Sequence, residues 1–450
     1  MLIIGLLATL LINTCSVDPI GMPPSEPPAG NPAPEAKRLR DLSPTQWKSG
    51  IAAWLGWLFD GLDMHLYTLV ALPLVVQLLH VTSAADPAVK EKSALIQAAF
   101  LVGWALGGAF FGRLGDMIGR TRALSLTVLT YAICTGLCAF AQNWWQLMIF
   151  RFIAALGIGG EWAVGASLIV ETWPKAWRPW LAAVLQSSVN IGVLLATISV
   201  GLIYMLPDPP AERWVFLIGV LPALFVFWIR RNVPETEEWH QNQPAKKDRP
   251  GFGALFKGAV GSITLRTTLT CALGLSAWWL FLFWHPQHLR QLLQQQGIAP
   301  AEITRWISVA FFGVIGVSIA GNFFAGWLAK LFSLRRSIAI MFGGMAVGIF
   351  GAYIVPRDYA ALTWFWLPLT GFFSGALGLF TMYLPPLFPT LLRTTGAGFT
   401  YNIGRIAAAA ASLIFGWLAP VGDFRTALLA ASAVAVAACI AAIFLPEDAT

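Results

Sequence analysis

Gly112-Arg113-Leu114-Gly115-Asp116-Met117-Ile118-Gly119-Arg120-Thr121-Arg122 separates two apolar runs. One acid, three arginines and three glycines stand together in this stretch. A buried core does not hold such charge density. A tight, glycine-bent cytoplasmic turn between two membrane helices does. The rest of the chain can be read outward from this turn.

The chain has 450 residues, 57% hydrophobic and only 11% charged, with 21 Trp and 30 Phe. Soluble globular domains carry about 25% charged residues, so this composition excludes one. A membrane helix needs about 20 apolar residues. Such runs fall at roughly 49–79, 94–113, 122–141, 147–170, 180–205 and 213–231, then 264–285, 303–329, 337–355, 362–385, 396–418 and 424–445. Only helices and closed barrels satisfy the backbone in lipid, and continuous runs do not fit barrel strands, which alternate. The expectation is an all-α integral membrane protein of 12 transmembrane helices. Two six-helix bundles, 43–231 and 262–446, flank a polar linker at 232–261 that holds Glu235, Glu237, Glu238, Lys246, Lys247 and Arg249.

Residues 1–42 read as a tail. Residues 2–12 are apolar but too short to span and have no basic residue before them, so a misplaced start, with Met22 as the true one, is expected. Residues 18–36 are proline-rich and read as disordered. The five cysteines lack metal-ligand spacing, and Cys134 and Cys138 fit helix packing.

Basic residues orient the chain. With the N-terminus inside, 20 of the 29 Lys and Arg fall on the cytoplasmic side and seven outside, while Arg151 and Arg405 lie within spans. The expected location is a cytoplasmic (inner or plasma) membrane, with both termini inside. The +7 net charge follows from this loop bias and is not a nucleic-acid signal. The halves also repeat. Gly112, Leu114 and Arg122 recur 214 residues on as Gly326, Leu328 and Arg336, although Asp116 becomes Lys330 and Gly119 becomes Ser333. Glu171-Thr172-Trp173-Pro174, with Arg178, recurs 215 residues on as Pro386-Leu387-Phe388-Pro389, with Arg393. Two such repeats place a site between them near mid-membrane.

Ionisable residues inside spans are costly and mark function. Asp60 and Asp63 lie three apart on one face of the first span; either can titrate, and Asp63 is favoured. Arg151, in the fourth span, needs a counter-ion, and these acids are the candidates. An acid beside an arginine stays ionised, and separated from it in a low dielectric it takes up a proton. A static salt bridge is the alternative. Glu161 is a third intramembrane acid, for coupling or structure. Gln186 and Asn190, four apart, are expected to line a polar cavity. His285 is a binding candidate beside an aromatic belt of Trp278, Trp279 and Trp284. Asn322, Asn402 and Arg405 are the polar groups of spans eight and eleven; Arg405 is expected to hold a substrate anion or serve a gate. At the inner face Gly112, Asp116, Gly119, Arg120, Arg122, Glu171, Arg178 and Arg393 are expected to gather in one network. No G-x-S-x-G, H-E-x-x-H or Walker loop occurs, so no enzyme and no nucleotide-driven pump is expected.

The opening stretch, G-x-L-x-D-x-x-G-R-x-R after the second span, resembles the signature loop of the major facilitator superfamily. Pro234-Glu235-Thr236-Glu237-Glu238-Trp239 resembles that family's Pro-Glu-Ser/Thr motif after span six. Thr45-Gln46-Trp47, Ala53-Trp54-Leu55-Gly56-Trp57, Asp60-Gly61-Leu62-Asp63, Glu171-Thr172-Trp173-Pro174-Lys175, Arg231-Asn232-Val233-Pro234-Glu235 and Gly398-Phe399-Thr400-Tyr401-Asn402 look like the sialate:proton symporter and monocarboxylate carrier branch. The resemblance implies alternating access. The inner-face network would lock the outward-open state, and Asp63 and Arg151 match the acid–arginine pair of related proton-coupled sugar carriers. There are departures: the linker cannot supply the two extra helices of sialic acid carriers, and Trp278 and Trp279 stand where hexose carriers hold paired glutamines. The expectation is a proton-coupled symporter of a small organic anion, a monocarboxylate or sialic-acid-like acid, working as a monomer with the proton as coupling ion and no other cofactor. An aromatic-acid or sugar symporter, an exporter of the same fold and, more remotely, a non-transporting nutrient receptor are the alternatives.

Overall fold

The computed structural model describes residues 38–82, 86–204, 212–242, 250–418 and 424–447. The apolar segment 2–12, the stretch 18–36 and Cys15 lie outside the described residues. Among the described residues all regular structure is helical. The main helices are α1 (Pro44–Leu79), α2 (Pro87–Ile118), α3 (Arg120–Cys138), α4 (Trp144–Thr172), α5 (Arg178–Tyr204) and α6 (Leu221–Asn232), the last preceded by a 3-10 stretch, Glu212–Val220. Then come α7 (Gly258–Gln295), α8 (Pro300–Leu331), α9 (Leu334–Tyr353), α10 (Tyr359–Tyr383), α11 (Arg393–Leu418) and α12 (Phe424–Ile443). Nine of the described helices are long and apolar enough to cross a membrane.

Local chemistry sets the ends. Ser43 opens α1 with a capping box, its hydroxyl accepting from the Gln46 N–H at 3.2 Å while the Gln46 side chain accepts from the Ser43 N–H at 2.8 Å. Asp86 caps α2 through the Ala88 N–H, and Pro87 takes the first helical position. The turn between α2 and α3 is one residue, Gly119, at φ 106°, which a side chain rarely tolerates.

Three elements differ from what hydropathy suggests. The sixth span, expected at 213–231, begins as the 3-10 stretch Glu212–Val220 and is α-helical only over Leu221–Asn232. The seventh span ends by composition near 285, yet α7 runs on through Pro286 to Gln295. Leu289 and Leu293 on that extension are buried, so packing carries the helix past its apolar stretch. α10 is not one uniform helix: it holds a π turn at Leu362–Trp366 and a break between Phe373 and Ala376.

The helices pack as α2 on α4 and α1 on α5, with α7 on α11 and α12 and α8 on α10. Small residues let backbones meet. A Cβ on Gly107 of α2 would strike the Leu156 carbonyl of α4, and one on Gly321 of α8 would strike the Phe372 carbonyl of α10. The spacing between these glycines is the offset of 214 seen in the opening turn. α11 packs across on α2, and α5 on α8 and α10. Large apolar side chains such as Leu224, Phe227 and Trp364 face outward.

Candidate functional site

The acids and arginines of the sequence gather in two places: the end of the bundle that carries the α2–α3 turn, and its interior. At the turn, Arg120 is fully buried. Its guanidinium donates to Asp116 at 2.9 Å, to Glu171 at 2.8 Å, and to the carbonyl oxygens of Gly115 at 2.8 Å and Thr390 at 2.6 Å. Asp116 in turn caps α11: it accepts from the Thr394 N–H at 3.2 Å and from the Thr395 N–H and hydroxyl at 2.8 and 2.5 Å. Glu171 also accepts from Arg393 at 3.0 Å and from the Thr236 hydroxyl at 2.5 Å, and Arg393 reaches Glu238 at 2.8 Å. Glu235 caps α3 through the N–H groups of Arg120 at 2.6 Å and Thr121 at 3.2 Å. Three separate ties therefore join the first six helices to the start of α11, and this end is closed.

Gly112 belongs to the same contact: a Cβ there would stand 2.7 Å from the Thr394 carbonyl oxygen. We expect Gly112→Val to hold this end open at a cost of about 1–3 kcal/mol, shifting the closed-to-open ratio about five- to a hundredfold. An unchanged ratio in that variant, read by labelling of a cysteine placed at this end, would overturn the role given to the contact. Two expected members stand apart. Arg122 is exposed, because two residues on from Arg120 is the other side of α3. Arg178 lies near Arg393 and Glu238 but forms no ion pair among the described residues.

Inside, Asp63 and Arg151 form a buried ion pair at 3.1 Å, and Asp63's other oxygen accepts from the Thr135 hydroxyl of α3 at 2.5 Å. The guanidinium sits 4.5 Å from the centre of the Phe100 ring. Asp60 faces elsewhere, and the charges acting on it are Glu161, Asp63 and Arg405. Glu161 is fully buried, its carboxylate seated against Gly56, one turn before Asp60 on α1. Among the described residues the group that meets the Glu161 carboxyl is that of Asp60. The three acids thus divide into an ion pair and a facing pair of carboxyls.

Arg405 is the cation of the α11 side. Its guanidinium lies 3.9 Å from the Trp104 ring centre and 4.7 Å from that of Tyr401, and it donates to Asn402 Oδ1 at 2.5 Å. Tyr401 stacks on Trp162 at 4.1 Å and 8°, and Trp162 stacks on Trp57 at 6.2 Å. The indole nitrogens of Trp57 and Trp104 are buried without a hydrogen-bond partner among the described residues. A cation on an aromatic wall beside spare N–H donors suits a carboxylate with an apolar body.

The other candidates are scattered. Asn402 also donates to the Gly398 carbonyl oxygen at 2.7 Å. Gln186 is half-buried with its stem on Gly378 of α10. Asn190 donates to the Ser318 hydroxyl of α8 at 3.0 Å and so ties two helices. Asn322 is buried with no partner for Nδ2 among the described residues. His285 is fully buried between the rings of Phe281 and Phe311, with Nδ1 2.9 Å from the Phe281 carbonyl oxygen. α7 meets α11 at Cys271 and Gly404, and His285 is fourteen residues further along α7, about 21 Å by helical rise. It does not join the Arg405 cluster. Thr135, Thr394, Thr395, Trp104 and Trp162 were not singled out by sequence, since hydroxyls and aromatics are common in membrane helices. No metal-binding group of acids, histidines and cysteines occurs among the described residues.

Comparison with known proteins agrees with this architecture. The family model "Sugar (and other) transporter" matches residues 51–249. The chain is 28% identical to the sialic acid transporter NanX of Escherichia coli K12, over 83% of this chain and 88% of that one. It is 30% identical to the probable 4-methylmuconolactone transporter of Cupriavidus pinatubonensis, over 81% of each. Among solved structures, the proton:xylose symporter XylE bound to 6-bromo-6-deoxy-D-glucose superposes with a TM-score of 0.72 at 18% identity, covering 90% of this chain and 96% of that one.

Proposed function

The chain belongs to the major facilitator superfamily of transporters, and from that premise we propose that it is a proton-coupled symporter importing a small organic anion, a monocarboxylate or a sialic-acid-like acid, by alternating access. It is a multi-pass membrane transporter and not an enzyme. The observation that carries the finer proposal is the buried pair of Asp63 and Arg151 at 3.1 Å. A proton on Asp63 would release Arg151, and loss of that proton would restore the pair. Arg405 would hold the substrate carboxylate, with Trp104, Trp162 and Tyr401 around its body. The names of the two relatives, one for an acid and one for a lactone of an acid, support an organic-acid cargo.

In this proposal the chain acts as a monomer of two six-helix halves, with both termini in the cytoplasm of a cell bounded by this membrane. The proton is the coupling ion and no other cofactor is needed. The closed end is then the cytoplasmic gate, and its bonds would break as the carrier opens inward. Gln186, Asn190 and Asn322 lie on the helices expected to flank the pathway. The stacked Tyr401–Trp162 pair favours a second reading, in which the acid is planar or aromatic.

Uptake of labelled lactate, pyruvate, sialic acid and benzoate into proteoliposomes, with and without an inward proton gradient, tests both. Accumulation of one acid only under the gradient, competed by its relatives, is the expected result. Uptake of sugars alone would sink the anion class.

A further inference from the structure

The turn between α8 and α9 is the second copy of the opening stretch, and the acid at the head of the first copy is not repeated in it. Around Arg120 stand Asp116, Glu171 and Glu235. At the offset of 214, Lys330 takes the place of Asp116. Lys330, Arg335 and Arg336 therefore crowd one end of the bundle, beside the N-terminus of α9, whose dipole adds partial positive charge. Among the described residues Glu447 meets this cluster, 3.6 Å from Arg335 and 84% exposed; so exposed an ion pair neutralises little. Arg335 also donates to the Leu445 carbonyl oxygen at 3.2 Å, which holds its guanidinium against the end of α12.

A groove runs from these arginines along the outer face, between α9 and α12. Its first part, about 460 Å³, has Arg335 and Arg336 at the mouth. A second part, about 270 Å³, shares Gly343 and Cys439 with the first and continues to Phe350. Small residues, Gly343, Ala346 and Ser432, form the floor, and Phe350, Val436 and Ile440 form the walls. From Arg336 to Phe350 the helix rises about 21 Å, more than the ~15 Å depth of one hydrocarbon leaflet.

We propose that this groove binds one anionic phospholipid, with an acyl chain along α9 and α12 and the phosphate on Arg335 and Arg336. An apolar groove alone would accept a chain of any phospholipid. The basic mouth, at the level where α9 begins and headgroups lie, selects a negative headgroup. The site shares no residue with the Asp63 pair or the Arg405 wall, so it stands or falls independently of the transport proposal.

The test is native mass spectrometry of the detergent-purified chain titrated with phosphatidylglycerol or phosphatidylcholine. One phosphatidylglycerol should be retained where phosphatidylcholine dissociates. Exchanging both Arg335→Gln and Arg336→Gln should weaken phosphatidylglycerol about thirtyfold and leave phosphatidylcholine unchanged. Gly343→Leu should displace the lipid by filling the groove. A Cβ there meets only Cys439 Sγ, at an ordinary 3.5 Å, so that variant keeps its fold and decides the matter if the arginine variant does not. Equal retention of the two lipids by the wild type, or phosphatidylglycerol binding untouched by these substitutions, would overturn the proposal.

Discussion

Asp63→Asn is expected to abolish uphill accumulation while sparing exchange of labelled for unlabelled substrate. The carboxylate is fully buried between Arg151 and Thr135, and asparagine fills the same space but carries no proton. One proton moved with each monocarboxylate makes accumulation follow the gradient, about tenfold per pH unit. In the variant that ratio should fall to one, whatever the gradient. Exchange needs only loading and reorientation, and both survive a side chain fixed in its neutral form. Leaving Arg151 unpaired in the interior costs about 3–5 kcal/mol, so the fold needs its own control. Pairing Asp63→Asn with Arg151→Gln removes the stranded charge and should regain stability without regaining coupling. If Asp63→Asn still accumulates substrate under a proton gradient, Asp63 is not the coupling site.

Arg405→Gln should weaken substrate binding by about a hundredfold, read as a rise in KM, and leave the coupling of the residual uptake intact. Hydrogen bonds to a charged group contribute about 1.5–3 kcal/mol each, and a guanidinium can offer a carboxylate two of them. The guanidinium lies on Trp104 and Tyr401 and touches Asn402, so its removal also loosens the wall that would support an apolar substrate body. Arg405→Lys keeps the charge but not the planar fork and should recover only part of the loss. A KM within threefold of wild type in Arg405→Gln would move the anion site elsewhere. Loss of coupling without a change in KM would make Arg405 a partner of Asp60.

What the sequence made legible follows from the solvent it is written for. Charge in an apolar chain is expensive, so the turn at 112–122 and the ionisable residues Asp60, Asp63, Arg151 and Glu161 stand out. Apolar runs long enough to span mark the helices for the same reason. The end of α7 does not, because its last ten residues are mostly polar and are held by Leu289 and Leu293 packing on neighbours that only the fold supplies. The partners of the acids were half legible. Asp63 meets Arg151, but Glu161 faces Asp60 instead of an arginine, and nothing in the spacing distinguishes those outcomes. The cap that Asp116 places on α11 was out of reach, since its donors are largely backbone N–H groups. Trp104 and Trp162 were hidden among the many aromatics of the chain. His285 draws the eye as an ionisable side chain near the end of a span, and in the fold it is stacked between two phenylalanines.

The π turn in α10 changes how that helix must be numbered as a surface. Such a turn accommodates one residue more than an α-helical turn, and one residue is about 100° of rotation. Everything after Trp366 is therefore out of phase with everything before it. A single helical wheel drawn from Tyr359 to Tyr383 assigns Thr363 and Thr381 to sectors that they do not share in the folded chain. Any comparison of pore-facing positions between this helix and an uninterrupted counterpart has to allow for register changes at residues 362–366 and again between Phe373 and Ala376.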